Sequence, residues 1–220
     1  MRETRDVFVT GGTGYIGSRL VPMLLARGHR VRALTRAASA GRVATGATPL
    51  IGDALDADTF VGAVRAGDTL VHLIGTPHPS PAKAAEFQRV DLASIRASVT
   101  AARKAGVAHL VYVSVAQPAP VMHAYVAARA AGEAAIHDAG LRATILRPWY
   151  VVGPGHWWAV ALIPVYAVAT LIPSTRDGAR RLGLVTIGQM LRALVSALEH
   201  PPAGGVRVVD VPGIRRAQLE

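Results

Sequence analysis

The stretch that most constrains this chain is Thr10-Gly11-Gly12-Thr13-Gly14-Tyr15-Ile16-Gly17. It follows the apolar run Val7-Phe8-Val9 and opens a helical pattern from about Ser18 to Ala26. Strand, glycine turn and helix in that order form the context of a dinucleotide-binding fingerprint. Gly11 allows the tight turn, Gly14 lets a pyrophosphate approach the backbone, and Gly17 lets the helix pack close to the strand. The phosphates would meet unpaired amides and the positive end of the helix dipole. Gly12, Thr13, Tyr15 and Ile16 are assigned to the same cofactor-binding turn.

The next strand decides which cofactor fits. After a glycine-capped helix end at Ala26-Arg27-Gly28-His29, the run Val31–Thr35 reads as strand. An NAD site wants a carboxylate here for the ribose 2′-OH. This chain has Thr35-Arg36 instead, and its next acid is Asp53. A guanidinium makes paired, charge-assisted bonds to a 2′-phosphate. The expectation is therefore NADP(H), with NAD(H) the alternative; Arg36 is the main contact and Arg32, Arg19 or Arg42 its helpers.

Residues 37–48 are small and glycine-rich, a loop. Pro49–Asp53 predicts a third strand, and residues 56–66 an amphipathic helix. Asp53, with Ala54 beside it, either caps that helix or meets the adenine edge. Thr69–Gly75 is a wholly apolar strand, as a parallel sheet buried on both faces requires. Ile74 and Gly75 end it at the cofactor, and His72 reads as a core histidine bonded to backbone. The proline-rich stretch 76–81 is a loop at the sheet's carboxyl edge, where ligands of open α/β sheets bind. A long helix over 82–105, a strand over 109–114, a helix over 125–138 and a strand over 143–148 complete the alternation. The pattern predicts an α/β fold with a doubly wound parallel sheet of Rossmann type. Residues 1–155 form the NAD(P)-binding domain, and 156–220 a small substrate or cap subdomain packed on it as one structural unit.

At 220 residues one domain with a large core is expected. The chain has no cysteine, which excludes disulfides, thiolate metal sites and cysteine nucleophiles. It also has no asparagine. The net charge of +10 is almost all arginine, because Lys83 and Lys104 are the only lysines. Those arginines are scattered without interleaved aromatics, so a solvated basic surface is read rather than a nucleic-acid partner. The histidines are dispersed and lack metal-ligand spacing, so no metal is expected. Met1 leads straight into charged residues and the first strand, with no stretch for a signal peptide, and a cytoplasmic location is expected.

The sequence resembles the short-chain dehydrogenase/reductase superfamily in its extended or atypical branch, nearest to NmrA-like and complex-I-accessory-subunit-like proteins. The pieces that carry the resemblance are Thr10–Gly17, Gly52-Asp53, Leu70–Gly75, Tyr125 to Arg129 with Gly132-Glu133, and Leu146-Arg147-Pro148 leading to Gly153-Pro154-Gly155. Active members use a Ser or Thr after the fifth strand and Tyr-x-x-x-Lys on the next helix. The resemblance implies that Tyr125 is the general acid, that Ser114 orients a substrate carbonyl, and that Pro148 lies beside the nicotinamide. Arg129 stands where lysine belongs. It would lower the tyrosine pKa and, with Tyr125, seat the nicotinamide ribose. His123 is a rival proton relay. Two functions follow: an NADP(H)-dependent reductase of a carbonyl-type substrate, or a non-catalytic NADP(H)-binding redox sensor, regulator or assembly protein.

Beyond residue 155 the chain departs from the family pattern. Trp157 to Pro173 is an uncharged run, short for a membrane span and interrupted by Pro164. It is read as a pocket wall or an interface, with a dimer face and a membrane-surface patch among the alternatives. An apolar small-molecule substrate follows from that reading. Residues 174–181 read as an exposed loop, 184–187 as a strand, 189–199 as a helix and 206–209 as a last strand before a charged tail.

Overall fold

The computed structural model describes residues 3–156 and 173–219. The first half alternates β1 (Asp6–Thr10), α1 (Gly17–Ala26), β2 (Arg30–Thr35), β3 (Thr48–Ile51) and β4 (Thr69–His72). Ala84–Glu86, Phe87–Leu92 and Ala93–Ala105 then run on as one helix, α2, whose middle stretch is π-wound. There follow β5 (His109–Val113), α3 (His123–Asp138), β6 (Ala143–Leu146), β7 (Tyr150–Val152), α4 (Pro173–Arg181), β8 (Leu184–Thr186), α5 (Ile187–Glu199), β9 (Val206–Val209) and α6 (Val211–Arg216).

Seven strands form one parallel sheet in the order β3-β2-β1-β4-β5-β6-β9, and β7 and β8 pair as a separate parallel ribbon. The doubly wound sheet is therefore present, lengthened by β9, which pairs in register with β6 from Ala143↔Val206 to Leu146↔Val209. Side-chain alternation assigns each strand residue to a layer. Val7 and Val9 of β1 join Leu20, Val21 and Leu24 of α1, Met190 and Leu194 of α5 and Ile214 of α6 in one core. Phe8, between them, faces the other core, with Leu92 and Ile95 of α2 and Ile136 of α3. Both faces are covered, which is why Val7-Phe8-Val9, Leu70-Val71 and Leu110-Val111 form the apolar centres of β1, β4 and β5. Part of the region expected as a cap thus belongs to the main body, since β9 and α5 complete its sheet and core. The apolar run 157–173 lies, but for its last residue, outside the described residues. Among those described, no helix is long and apolar enough to cross a membrane.

Several local expectations are corrected. The helix expected over 56–66 is two single 3₁₀ turns, Ala57–Thr59 and Val61–Ala63. Phe60 and Val64 still reach the core, so the amphipathic spacing was read correctly but the winding was not. Residues 174–181 are helical, not loop, with Arg180 and Arg181 in the last turn where cations favour the helix dipole. The charged tail holds α6, nucleated by Asp210, whose side chain accepts from Gly213 N at 2.8 Å. His72 bonds side chains, not backbone: its Nδ1 lies 2.9 Å from both Thr10 Oγ1 and Ser98 Oγ. Burial, and then Arg129, hold its pKa at about 3, so it is neutral.

The arginines are clamps as well as a solvated surface. Arg32 pairs with Asp68 at 2.5 Å beneath β2. Arg27, at the end of α1, forms two bonds to Glu199 at the end of α5, at 2.7 and 2.6 Å. His29 Nε2 adds a third at 3.2 Å. Burial pushes the Glu199 carboxyl up, yet the bonds from Arg27 and His29 outweigh it and hold the pKa below its ordinary value. Its stabilising contribution is therefore full above the unfolded value and is lost as the pH falls through the folded one. Glu199→Ala is expected to cost about 2–3 kcal/mol, since it strands two partners at a largely buried joint. A thermal melt at neutral pH should show the loss, and the gap to the parent should narrow in acid.

Candidate dinucleotide site

Strand order reverses about β1: the chain runs outward through β2 and β3, then returns to lay β4 on the other side. Such a switch point opens a crevice at the strands' carboxyl ends. Thr10 and His72 are register partners at its floor, and the glycine turn begins one residue on. Gly11 holds φ at +78°, a left-handed backbone that favours glycine. A Cβ on Gly17 would overlap the Gly11 carbonyl and sit 2.7 Å from Gly12 Cα, so only glycine lets α1 start this close to β1. Among the described residues no side chain caps the first turn of α1, and no acid lies in it. Ser18 N and Arg19 N are taken by Gly14 O and Ile16 O, so an anion would be met by the remaining amides of the turn and by the helix dipole.

A cleft of about 580 Å³ opens from this turn. Gly11, Gly14, Tyr15, Ile16 and Gly17 form one wall; Gly75, Thr76 and Pro77–Pro79 form a second. Val113, Ser114, Tyr125 and Arg129 form the far end, with Met122 and Pro148–Val151 beside them. Larger hollows of about 760 and 810 Å³ lie along α2 and α3 and carry none of the fingerprint residues.

The cleft's charged groups are held by partners the sequence did not disclose. Arg129 is 5% exposed, and its Nη2 lies 2.6 Å from Oδ1 of the fully buried Asp91. Its Nη1 donates to Val113 O at 2.9 Å. Burial alone would lower the Arg129 pKa, but Tyr125, Tyr112 and Asp91 outweigh it and raise the group, which stays charged. The guanidinium lies 5.3 Å from the Tyr125 ring centre, and Phe87 packs on that ring at 5.0 Å. Ser114 donates to Glu133 Oε1 at 2.5 Å. The same carboxylate accepts from Gln117 at 2.8 Å and from Arg147 through both its oxygens.

At the mouth, planar groups stack in a column. The Arg19 guanidinium lies 4.4 Å from the Tyr15 ring centre, His156 stacks on Tyr15 at 4.1 Å, and His78 stacks on His156 at 5.4 Å. Burial first, then His78 and Arg19, hold the His156 pKa below its ordinary value.

The structure thus gathers Gly11, Gly14, Tyr15, Ile16, Gly17, Gly75, Ser114, Tyr125, Arg129 and Pro148 around one cleft. Gly12 and Thr13 complete the turn, while Ile74 packs against it: a Cβ on Gly11 would meet Ile74 at 3.2 Å. Arg36 is exposed at the end of β2, and Asp53 is exposed just past β3 with Ala54 following it. Asp53 caps its own turn, accepting from Leu55 N at 2.9 Å. Arg32 is held by Asp68 at 2.5 Å. Arg42 bonds Ser39 at 2.7 Å, and Arg19 is engaged with Tyr15 O at 2.8 Å. His123 is exposed and does not line the cleft. Among the described residues no cluster of His, Cys, Asp or Glu could hold a metal.

Sequence reasoning does not single out Asp91 or His156, and reaches Thr76 and His78 only as part of the loop 76–81 at the ligand-binding edge. For Asp91 a signal existed: an acid between Val90 and Leu92, two apolar positions of a helix, has to be exposed or paired. The histidines gave none, because their contact joins segments far apart in the chain.

A switch-point crevice, an uncapped helix start and a glycine turn that admits no Cβ at Gly17 define a dinucleotide-binding α/β protein. The chain belongs to the NAD(P)H-binding family, whose model matches residues 11–153, within the atypical and extended short-chain dehydrogenase/reductases. It is 29% identical over 215 residues to the ceramide reductase of Caulobacter vibrioides, covering 93% of this chain and 64% of that protein. It is also 29% identical over 224 residues to a 4-hydroxy-2-methyl-3-oxo-4-farnesyl-3,4-dihydroquinoline-1-oxide ketoreductase of Stigmatella aurantiaca, covering 90% of this chain and 66% of that one. This chain therefore spans slightly under two thirds of either relative. The Thermus thermophilus UDP-glucose 4-epimerase shares the fold, with a TM-score of 0.66 at 24% identity, over 96% of this chain and 81% of that one.

Proposed function

We propose that the protein is an NADP(H)-dependent reductase of a hydrophobic carbonyl compound, with Tyr125 as proton donor. The observation that carries this reading is that one cleft joins the glycine turn to Tyr125, with Leu73, Val115, Met122, Trp149 and Val151 as its apolar lining. The cofactor, when bound, supplies the hydride. Gly11 and Gly17 would shape the turn that receives its diphosphate at Gly14, and Tyr125 would give a proton to the substrate oxygen. The apolar walls exclude water and favour a lipid-like ketone or quinone. The two relatives named above act, by their names, on a ceramide-type and a farnesylated compound. The β7–β8 ribbon brings Tyr150 and Val151 to the cleft and would cap it. The test is NADPH oxidation over a panel of hydrophobic ketones and quinones. No turnover of any of them, with cofactor bound, would overturn the reading.

A non-catalytic NADP(H)-binding role is the second reading. It is favoured by one observation: the Ser114 hydroxyl is given to Glu133 rather than turned free to a substrate.

Preference for the phosphorylated cofactor rests on Arg36, exposed at the end of β2 where the ribose 2′-position would come. Arg36→Ala should weaken NADPH about tenfold or more and leave NADH unchanged, as losing one charge-assisted pair implies. Titrating both cofactors by fluorescence checks it; equal loss for both would remove Arg36 from the site.

A further inference from the structure

The sequence puts arginine where the family has lysine, and the structure supplies the reason a simple exchange of one cation for another does not describe the change. The guanidinium fills the space beneath Gly75: a Cβ there would overlap Arg129 Nη2 and lie 3.3 Å from Asp91 Oδ1. Asp91 reaches that point because the π-wound stretch of α2 presents it inward, with none of its surface exposed. Its second oxygen, Oδ2, accepts from Thr76 Oγ1 at 2.6 Å and from Thr76 N at 3.1 Å. One carboxylate therefore fixes the Arg129 head group and the turn that forms the cleft's second wall.

We propose that Asp91 is a positioning residue for the nicotinamide half of the cofactor, acting as a matched charge pair with Arg129 that holds the Gly75-Thr76 wall in place. This rests on family membership for cofactor binding and on the Tyr125 end of the cleft being the nicotinamide end. The pair exchanges as a unit. In Arg129→Lys, the ammonium is drawn onto Asp91 as a point charge and gives up the second anchor on Val113 O. In Asp91→Asn, a buried guanidinium is left without its counter-charge and moves toward the cleft. In the double variant the ammonium is still one buried charge, but a compact one whose donors the neutral amide oxygen and Val113 O satisfy together, with no carboxylate to draw it aside. The amide oxygen also still accepts from Thr76.

The test is a double-mutant cycle on Asp91→Asn and Arg129→Lys, using the full chain. Dissociation constants for NADPH and for ADP are measured with the thermal midpoint of the cofactor-free protein. Each single variant is expected to weaken NADPH about tenfold or more and leave ADP, which carries no nicotinamide half, unchanged. The double variant is expected to recover most of the NADPH affinity. Losses that multiply in the double variant, or fall equally on ADP and NADPH, would overturn the proposal. If Asp91→Asn does not fold, the comparison of Arg129→Lys with the double variant decides alone: a double that binds NADPH no better sinks it. None of these readouts needs turnover, so absence of reductase activity would strike the proposed function and leave this inference standing.

Discussion

Tyr125→Phe is expected to lower NADPH-dependent turnover by roughly 10²–10⁴-fold, the usual contribution of a positioned acid. The ring survives the change. Its packing on Phe87 and over the Arg129 guanidinium needs no hydroxyl, so cofactor affinity and thermal stability should hold. Steady-state oxidation of NADPH, run beside a binding titration, separates these effects. Turnover that persists would move the proton donor elsewhere in the cleft, whose lining also holds the His78 and His156 imidazoles. The depressed pKa of His156 leaves it neutral near pH 7, so a role for it as acid would show as activity rising toward low pH.

Gly17→Ala should abolish measurable binding of either nicotinamide dinucleotide. The added methyl meets the Gly11 carbonyl and Gly12 Cα, both backbone, so no side-chain rotation relieves the contact. Either α1 withdraws from β1 or the turn opens, and the amides lose their convergence on a diphosphate. Overpacking of this kind costs about 1–3 kcal/mol, so a lower melting temperature should accompany the loss. Gly62→Ala is the control, because a methyl there meets none of the described residues within 4 Å. Calorimetry with NADPH should show no heat for the first variant and normal binding for the second. Binding by Gly17→Ala at parental affinity would place the diphosphate somewhere other than this turn.

The fold was legible because its evidence is local. Val7-Phe8-Val9 is apolar at every position, which only a strand covered on both faces tolerates, and the glycine spacing that follows admits few conformations. Errors came where length or charge had to stand in for packing. Residues 56–66 carry helical spacing but wind only into two 3₁₀ turns. Residues 174–181 look like loop by composition and are helical. Nothing local to Arg32 announces that Asp68, thirty-six residues away, pairs with it.

The sequence by itself determined the parallel sheet and the dinucleotide turn, because strand–helix alternation and glycine spacing are written along the chain, and its resemblance made Tyr125 a candidate. Tertiary structure alone decided how the charges near Tyr125 are disposed: Asp91 against Arg129, Glu133 against Ser114, His156 against Tyr15. A buried charge takes its properties from the counter-charge and hydrogen bonds that surround it. Those partners come from separate strands, helices and loops, and the order of residues along the chain does not record which of them will meet.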